Sequence, residues 1–200
     1  MKELNEIKLD ALKEVGNIGA GNAATSLAEM TSMQINITVP KVLLDVIDNI
    51  AEQMGGASSI AVGIQLGIEG ELTGHLMVLM PLEDSFKLID TMMFMEPGTT
   101  QDVDEMGQSA LMELGNILAS SYLNALSGLT GTYLLPSPPL FAKEEIASLI
   151  RNTSNGMVFD VERAIFVETA FTGLTISMKG VIVLLLDHDS LDKLFSILGI

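Results

Sequence analysis

The sequence predicts an α+β fold: two α/β halves that repeat with pseudo-two-fold symmetry, share one antiparallel sheet and carry their polar motifs on long helices. Three observations predict it. Residues 10–40 superpose without a gap on residues 109–139, an offset of 99, and ten of the 31 positions are identical where composition alone gives about two. Apolar residues first fall at helical spacing and then alternate, in the same order in both halves. Residues 74–80 and 180–186 are matching runs, each opening on Gly and each leading into a helical pattern. The chain therefore reads as a single domain over 1–200, with a first repeat at about 1–98 and a second at about 99–200.

Each element follows in order. Leu4, Ile7, Leu12, Val15 and Ile18 are spaced as a helix, and residues 22–33 continue helically. Residues 35–39 alternate as a strand that Pro40 closes. Ile60, Val62, Ile64 and Leu66 alternate, residues 67–70 turn, and Leu72, Leu76, Val78 and Met80 return, which predicts an antiparallel hairpin. Leu82, Phe86, Ile89 and Met93 are helical, and the break at Glu96-Pro97-Gly98 puts the boundary between halves at 96–101. The second copy begins near Asp102. There Ile165, Val167, Thr169 and Phe171 alternate, Gly173 turns, residues 174–186 return, and Leu191, Leu194, Phe195 and Leu198 form a closing helix. The segment from Phe141 to Arg151 reads as extra amphipathic material of the second half.

Composition excludes several classes of function. Ten Lys and Arg against 26 Asp and Glu give a net charge of -16, which repels nucleic acid and an anionic membrane surface. No Cys and two His remove disulfides, thiolate zinc, iron–sulfur clusters, Cys nucleophiles and His-rich metal sites. The first ten residues carry Glu3, Glu6 and Asp10 and show no export signal. The longest apolar run, from Val181 to Leu186, is far short of the roughly 20 residues a bilayer requires. The expectation is a cytoplasmic protein with no membrane span.

Two of the repeated identities are polar. Asp10, Glu14 and Asn17 lie at i, i+4 and i+7, as do Ser109, Glu113 and Asn116, so each trio falls within roughly 60° on one helix face. Leu12 and Val15, and Leu111 and Leu114, occupy the opposite flank. Such polar residues are ordinarily just a solvated face. Here Gly16 and Gly115 argue for more, because a helix-interior Gly costs about 0.5–1 kcal/mol and its retention beside both Asn residues implies close approach by another backbone. Gly19-Ala20-Gly21-Asn22-Ala23-Ala24 matches a dinucleotide-binding fingerprint, but a helix precedes it and the second copy lacks those glycines. Helix packing is the better reading of those small residues.

Asp or Ser, three residues, Glu, two residues, Asn, 22 residues and Pro resembles the signature of the CheC family of chemotaxis phosphatases. The chain carries it twice, as Asp10, Glu14, Asn17 and Pro40 and as Ser109, Glu113, Asn116 and Pro139. The resemblance extends from the first helix to the last. CheX relatives have one such site per chain and pair as dimers, and FliY-type relatives add a C-terminal domain, so the likeness to CheC is the closer. It implies a hydrolase of two-component signalling that removes the aspartyl phosphate of the response regulator CheY by inserting a helix into the regulator's active site. No cofactor or metal site of its own is implied, since Mg²⁺ arrives on the regulator. Glu14, Asn17, Glu113 and Asn116 are the implied catalytic residues.

Chemistry supplies roles for them. A carboxamide has both donor and acceptor, so Asn17 and Asn116 suit holding a water in line with phosphorus. Glu14 and Glu113 suit pairing with a regulator Lys to fix the register. Asp10 and Ser109 make peripheral partner contacts, and Pro40 and Pro139 brace the helix by ending a strand. The family resemblance also implies CheD, a receptor-modifying glutamine deamidase, as partner, with Phe141 to Arg151 as the candidate surface and a monomer or a heterodimer with CheD as the assembly. The alternative is a non-catalytic adaptor that docks response regulator, CheD or flagellar switch components through the same stripe. Two intact Asn residues weigh against it, because docking alone does not need the same carboxamide twice.

Overall fold

The computed structural model describes residues 2–32, 34–155, 163–173 and 177–199. Met33 and residues 174–176, which the sequence patterns include, lie outside the described residues, as does the side chain of Leu4. The first half runs α1 (Lys2–Thr31), β1 (Ile35–Val46), α2 (Ile47–Gln53), β2 (Ile60–Gly70), β3 (Gly74–Pro81) and α3 (Leu82–Met92). The second runs α4 (Glu105–Thr130), β4 (Leu134–Pro136), β5 (Leu140–Glu145), α5 (Ile146–Asn155), β6 (Arg163–Gly173), β7 (Ser177–Leu186) and α6 (His188–Ile197).

Among the described residues, all seven strands form one sheet in the order β1-β6-β7-β3-β2-β4, with β5 also on β2, and every neighbouring pair is antiparallel. This is the predicted fold class. At the centre β3 pairs with β7, and Met77 faces Val183, the positions that the Gly74 and Gly180 alignment makes equivalent. The outer strand of each half pairs with the other half: β1 with β6, and β4 and β5 with β2.

Sheet alternation divides the core into two layers. On one face α1, α3, α4 and α6 bury Leu12, Val15, Leu88, Leu111, Leu114 and Phe195 against Val62, Ile64, Val167 and Ile182. On the other, α2 and α5 cover Met77, Phe166 and Val183 with Ile50, Ile146 and Leu149. The short α2 is absent from the sequence reading. It is also the counterpart of α5, because an offset of 99 carries Ile47 onto Ile146. The segment from Phe141 to Arg151 is therefore not extra material but β5 followed by α5, whose sequence has diverged from its partner in the first half.

Three further expectations are corrected. The first helical stretches are one unbroken 30-residue helix, since tertiary packing along its length overrides the weak propensity of Gly16, Gly19 and Gly21. Pro40 does not end a strand. It sits within β1 where the pairing with β6 shifts register, between Thr38 and Lys41, a place open to Pro because β1 is an edge strand and its ladder is already irregular. Pro139 lies between β4 and β5, where the pairing with β2 moves by one residue from Ile68 opposite Pro136 to Gln65 opposite Leu140. The two motif prolines thus occupy equivalent register shifts, with the ladder continuous in one half and broken in the other.

Caps and loop anchors fix the ends of the motif helices. Asp104 caps α4 by accepting from Gly107 N at 2.7 Å, and Gly131 ends it in the left-handed region at φ 67°. Asp90 at the end of α3 is 3% exposed and holds the link between the halves. It accepts from the amides of Gly98, Thr99 and Thr100 at 2.7, 3.2 and 2.9 Å and from the Thr100 hydroxyl at 2.6 Å.

Candidate functional site

The helix periodicity that buries Leu12 and Val15 turns Asp10, Glu14 and Asn17 outward, and all three are exposed. On α4 the same pattern exposes Ser109 and Glu113 and leaves Asn116 half-buried. Glu and Asn of each pair stand about 4.5 Å apart along the helix axis. Among the described residues Glu14, Asn17, Glu113 and Asn116 make no side-chain hydrogen bond or ion pair, so their polar groups are free for a partner. Ser109 Oγ instead donates to the Glu105 carbonyl of its own helix at 3.0 Å.

Gly16 and Gly115 seat the two helices, though what approaches them is side chain rather than the expected backbone. A Cβ on Gly16 would meet the Val39 methyls at 3.3 Å and Val167 at 3.5 Å. One on Gly115 would meet Ile64 Cγ2 at 2.4 Å. Val167 and Ile64 occupy matching places in β6 and β2, while the strand that supplies Val39 is interrupted in the second half. Gly19 allows α1 and α4 to cross closely, with its Cβ direction 3.0 Å from Tyr122 Cα, whereas Gly21 has open space beside it. The helix α1 runs straight through the dinucleotide-like glycines. A cavity of about 10 Å³ under Gly16 and Gly19, lined in part by Val39, Tyr122 and Thr169, has room for one water and no substrate.

Apolar side chains flank the polar stripe. Ile18, adjacent to Asn17, is 38% exposed, and Ile7 and Met106 are 52% and 66% exposed at equivalent positions of the two helices. Ile7 and Ile18 share the helical spacing of Leu12 and Val15 but not their burial. The inward face of the helix is made by Leu12, Val15 and the small residues beyond them. Lys8, one residue on from Ile7, lies 4.2 Å over the Phe195 ring of α6. Lys13, one turn before Asn17, is exposed. Sequence reasoning missed it, and the signal was its replacement by Met112 in the second copy.

The structure does not gather Asp10 through Pro40 into a pocket. It presents two separate helical surfaces, each with an outward carboxylate and carboxamide, over one shared sheet. Among the described residues no three His, Asp or Glu converge as a metal site, and no helix is long and apolar enough to cross a membrane.

A duplicated α/β protein with one solvent-accessible Glu and Asn pair on each of two motif helices is the class that this fold and site define. The chain belongs to the CheC-like family, whose model matches residues 7–44 and 106–141, both motif helices included. It is 36% identical over 200 residues to the CheY-P phosphatase CheC of Bacillus subtilis (strain 168), covering 98% of this chain and 96% of that protein. The structure of Thermotoga maritima FliY superposes with a TM-score of 0.80 at 24% identity, covering 100% of this chain and 97% of that one. A chain in the CheX-CheY-BeF3-Mg²⁺ complex from Borrelia burgdorferi superposes with a TM-score of 0.54 at 20% identity, covering 84% of this chain and 95% of that one. At those identities the two structures show the shared fold.

Proposed function

We propose that this chain is a protein phosphatase that hydrolyses the aspartyl phosphate of phosphorylated CheY, acting at both motif helices in the cytoplasm. The observation that carries the reading is the repetition, on two helices, of a solvent-accessible Glu and Asn that make no side-chain hydrogen bond or ion pair among the described residues. A Bacillus subtilis relative similar along its whole length is a CheY-P phosphatase, and a chain of this fold occurs in complex with CheY.

In this reading Asn17 or Asn116 enters the regulator's active site and holds a water in line with phosphorus, its carboxamide giving one hydrogen bond and accepting another. Glu14 or Glu113 pairs with a regulator Lys and sets the register of docking. Asp10 and Ser109 make peripheral contacts. The Mg²⁺ belongs to the regulator. Acyl phosphates are labile, so a 10²-fold acceleration asks for about 2.7 kcal/mol, within reach of one positioned water.

CheD is the second proposed partner, docking on β5 and α5 between Phe141 and Arg151 as a heterodimer with an otherwise monomeric chain. Phosphate release from radiolabelled CheY-phosphate, with and without the protein, tests the main reading. Acceleration lost in the Asn17→Ala, Asn116→Ala double variant supports it. Binding without acceleration would instead make the chain an adaptor.

A further inference from the structure

Of the eight basic side chains that the structure describes, seven have partners. Lys8 stacks on Phe195, Lys41 donates to Gln53, and Lys87, Lys143, Lys179 and Lys193 pair with Asp84, Asp102, Glu168 and Glu71. Arg151 is also engaged. Among the described residues Lys13 alone is free, in a chain where 26 acidic residues face ten basic ones. Its position is specific. It lies four residues before Asn17, so its Cβ stands about 6 Å from that of the carboxamide on the same helix face. At the matching place in α4 the residue is Met112, half-buried.

We propose that Lys13 is a binding residue for the anionic, phosphoryl-bearing surface of the partner, so that the α1 site recognises it through a salt-sensitive contact that the α4 site lacks. The proposal rests on the phosphatase reading, which supplies the anion. A lysine ammonium is a compact point charge on a flexible stem, suited to reaching an anionic oxygen of a docked partner. Asp10, Lys13 and Glu14 leave the α1 stripe with one cation against two carboxylates, whereas Ser109, Met112 and Glu113 leave the α4 stripe with no cation. The two stripes therefore carry the same net charge, and what the first adds is a point cation one turn from Asn17, a local attraction for an anionic oxygen within a field that otherwise repels anions. At the second, Met112 and the exposed Met106 offer only apolar contact.

The test uses two single-site proteins: Asn116→Ala leaves the α1 site and Asn17→Ala leaves the α4 site. In the Asn116→Ala protein, Lys13→Met should lower kcat/KM for CheY-phosphate about fivefold at low ionic strength, through KM. Lys13→Arg should restore most of it. The gap should close as salt is raised towards about 0.5 M. Lys179→Met, which removes the same charge elsewhere, should change nothing, and Met112→Lys in the Asn17→Ala protein should confer the salt-sensitive gain on the second site. Equal kcat/KM for Lys13 and Lys13→Met at every salt concentration overturns the proposal, as does a loss that Arg fails to restore. Failure of the phosphatase reading looks different: the double Asn variant would then match the wild type.

Discussion

Gly115 of α4 rests directly on Ile64 of β2: a methyl group in place of its hydrogen would stand 2.4 Å from Cγ2 and 2.8 Å from Cβ. Neither atom can move without shifting the strand, because Ile is branched at Cβ and this one is fully buried. Gly115→Ala is expected to destabilise the protein by about 1–3 kcal/mol. Gly16→Ala should change stability by less than about 1 kcal/mol, since the helix propensity it gains offsets a 3.3 Å contact with Val39. Denaturant midpoints of the two variants check the contrast.

Asn17→Ala and Asn116→Ala together are expected to reduce CheY-phosphate hydrolysis by about 10²-fold or more while leaving the melting temperature within about 2 °C of wild type. Among the described residues neither side chain makes a hydrogen bond or ion pair, so no such interaction of the fold is lost with it. Phosphate release and a thermal melt on the same preparation separate loss of chemistry from loss of structure.

Asp90 makes stability depend on pH. Burial pushes its carboxyl up, but the hydrogen bonds from Thr100, Gly98 and Thr99 outweigh burial and hold it below its ordinary value of 3.8. A depressed folded value means that the contribution is complete above the ordinary value and is lost as pH falls through the folded one. Asp90→Asn should cost about 1–3 kcal/mol at pH 7. The difference from wild type should shrink below pH about 4, which urea denaturation across pH will show.

Tyr122 is buried, and its hydroxyl has no hydrogen-bond partner among the described residues. Burial also pushes the phenol's pKa up. Tyr122→Phe removes an unpaired polar atom without changing the buried ring, so stability is expected to hold or rise by up to about 1 kcal/mol. A fall of more than that in denaturant unfolding would show that the hydroxyl is satisfied.

The repeat, both hairpins and the outward Glu and Asn residues were legible because they are local: identity at a fixed offset, alternation, and 100° steps around a helix. Pro40 misled because whether a proline ends a strand depends on the strand's place in the sheet, and only the pairing of β1 with β6 reveals an edge. The exposure of Ile18 was not legible, because an apolar residue next to a polar one carries no sign of which face it joins. Lys13 was visible in the sequence, but its lack of a partner exists only in three dimensions. The kinship of α2 and α5 was hidden by divergence, and their matching places in the fold, at the repeat's own offset of 99, restore it.

The exchange of outer strands has a consequence for how the two sites can differ. A half cut free at the 96–101 link would carry β1 without β6, or β5 without β2, and so leave an unpaired ladder. The halves must fold as one cooperative body, and the link works as a tether that replaces an encounter between separate molecules with a high local concentration. Two identical subunits would be bound to present the same surface twice. A covalent pair is free of that constraint, so Lys13 and Met112 can stand at one position of the same architecture and give a single molecule two unlike faces for a partner.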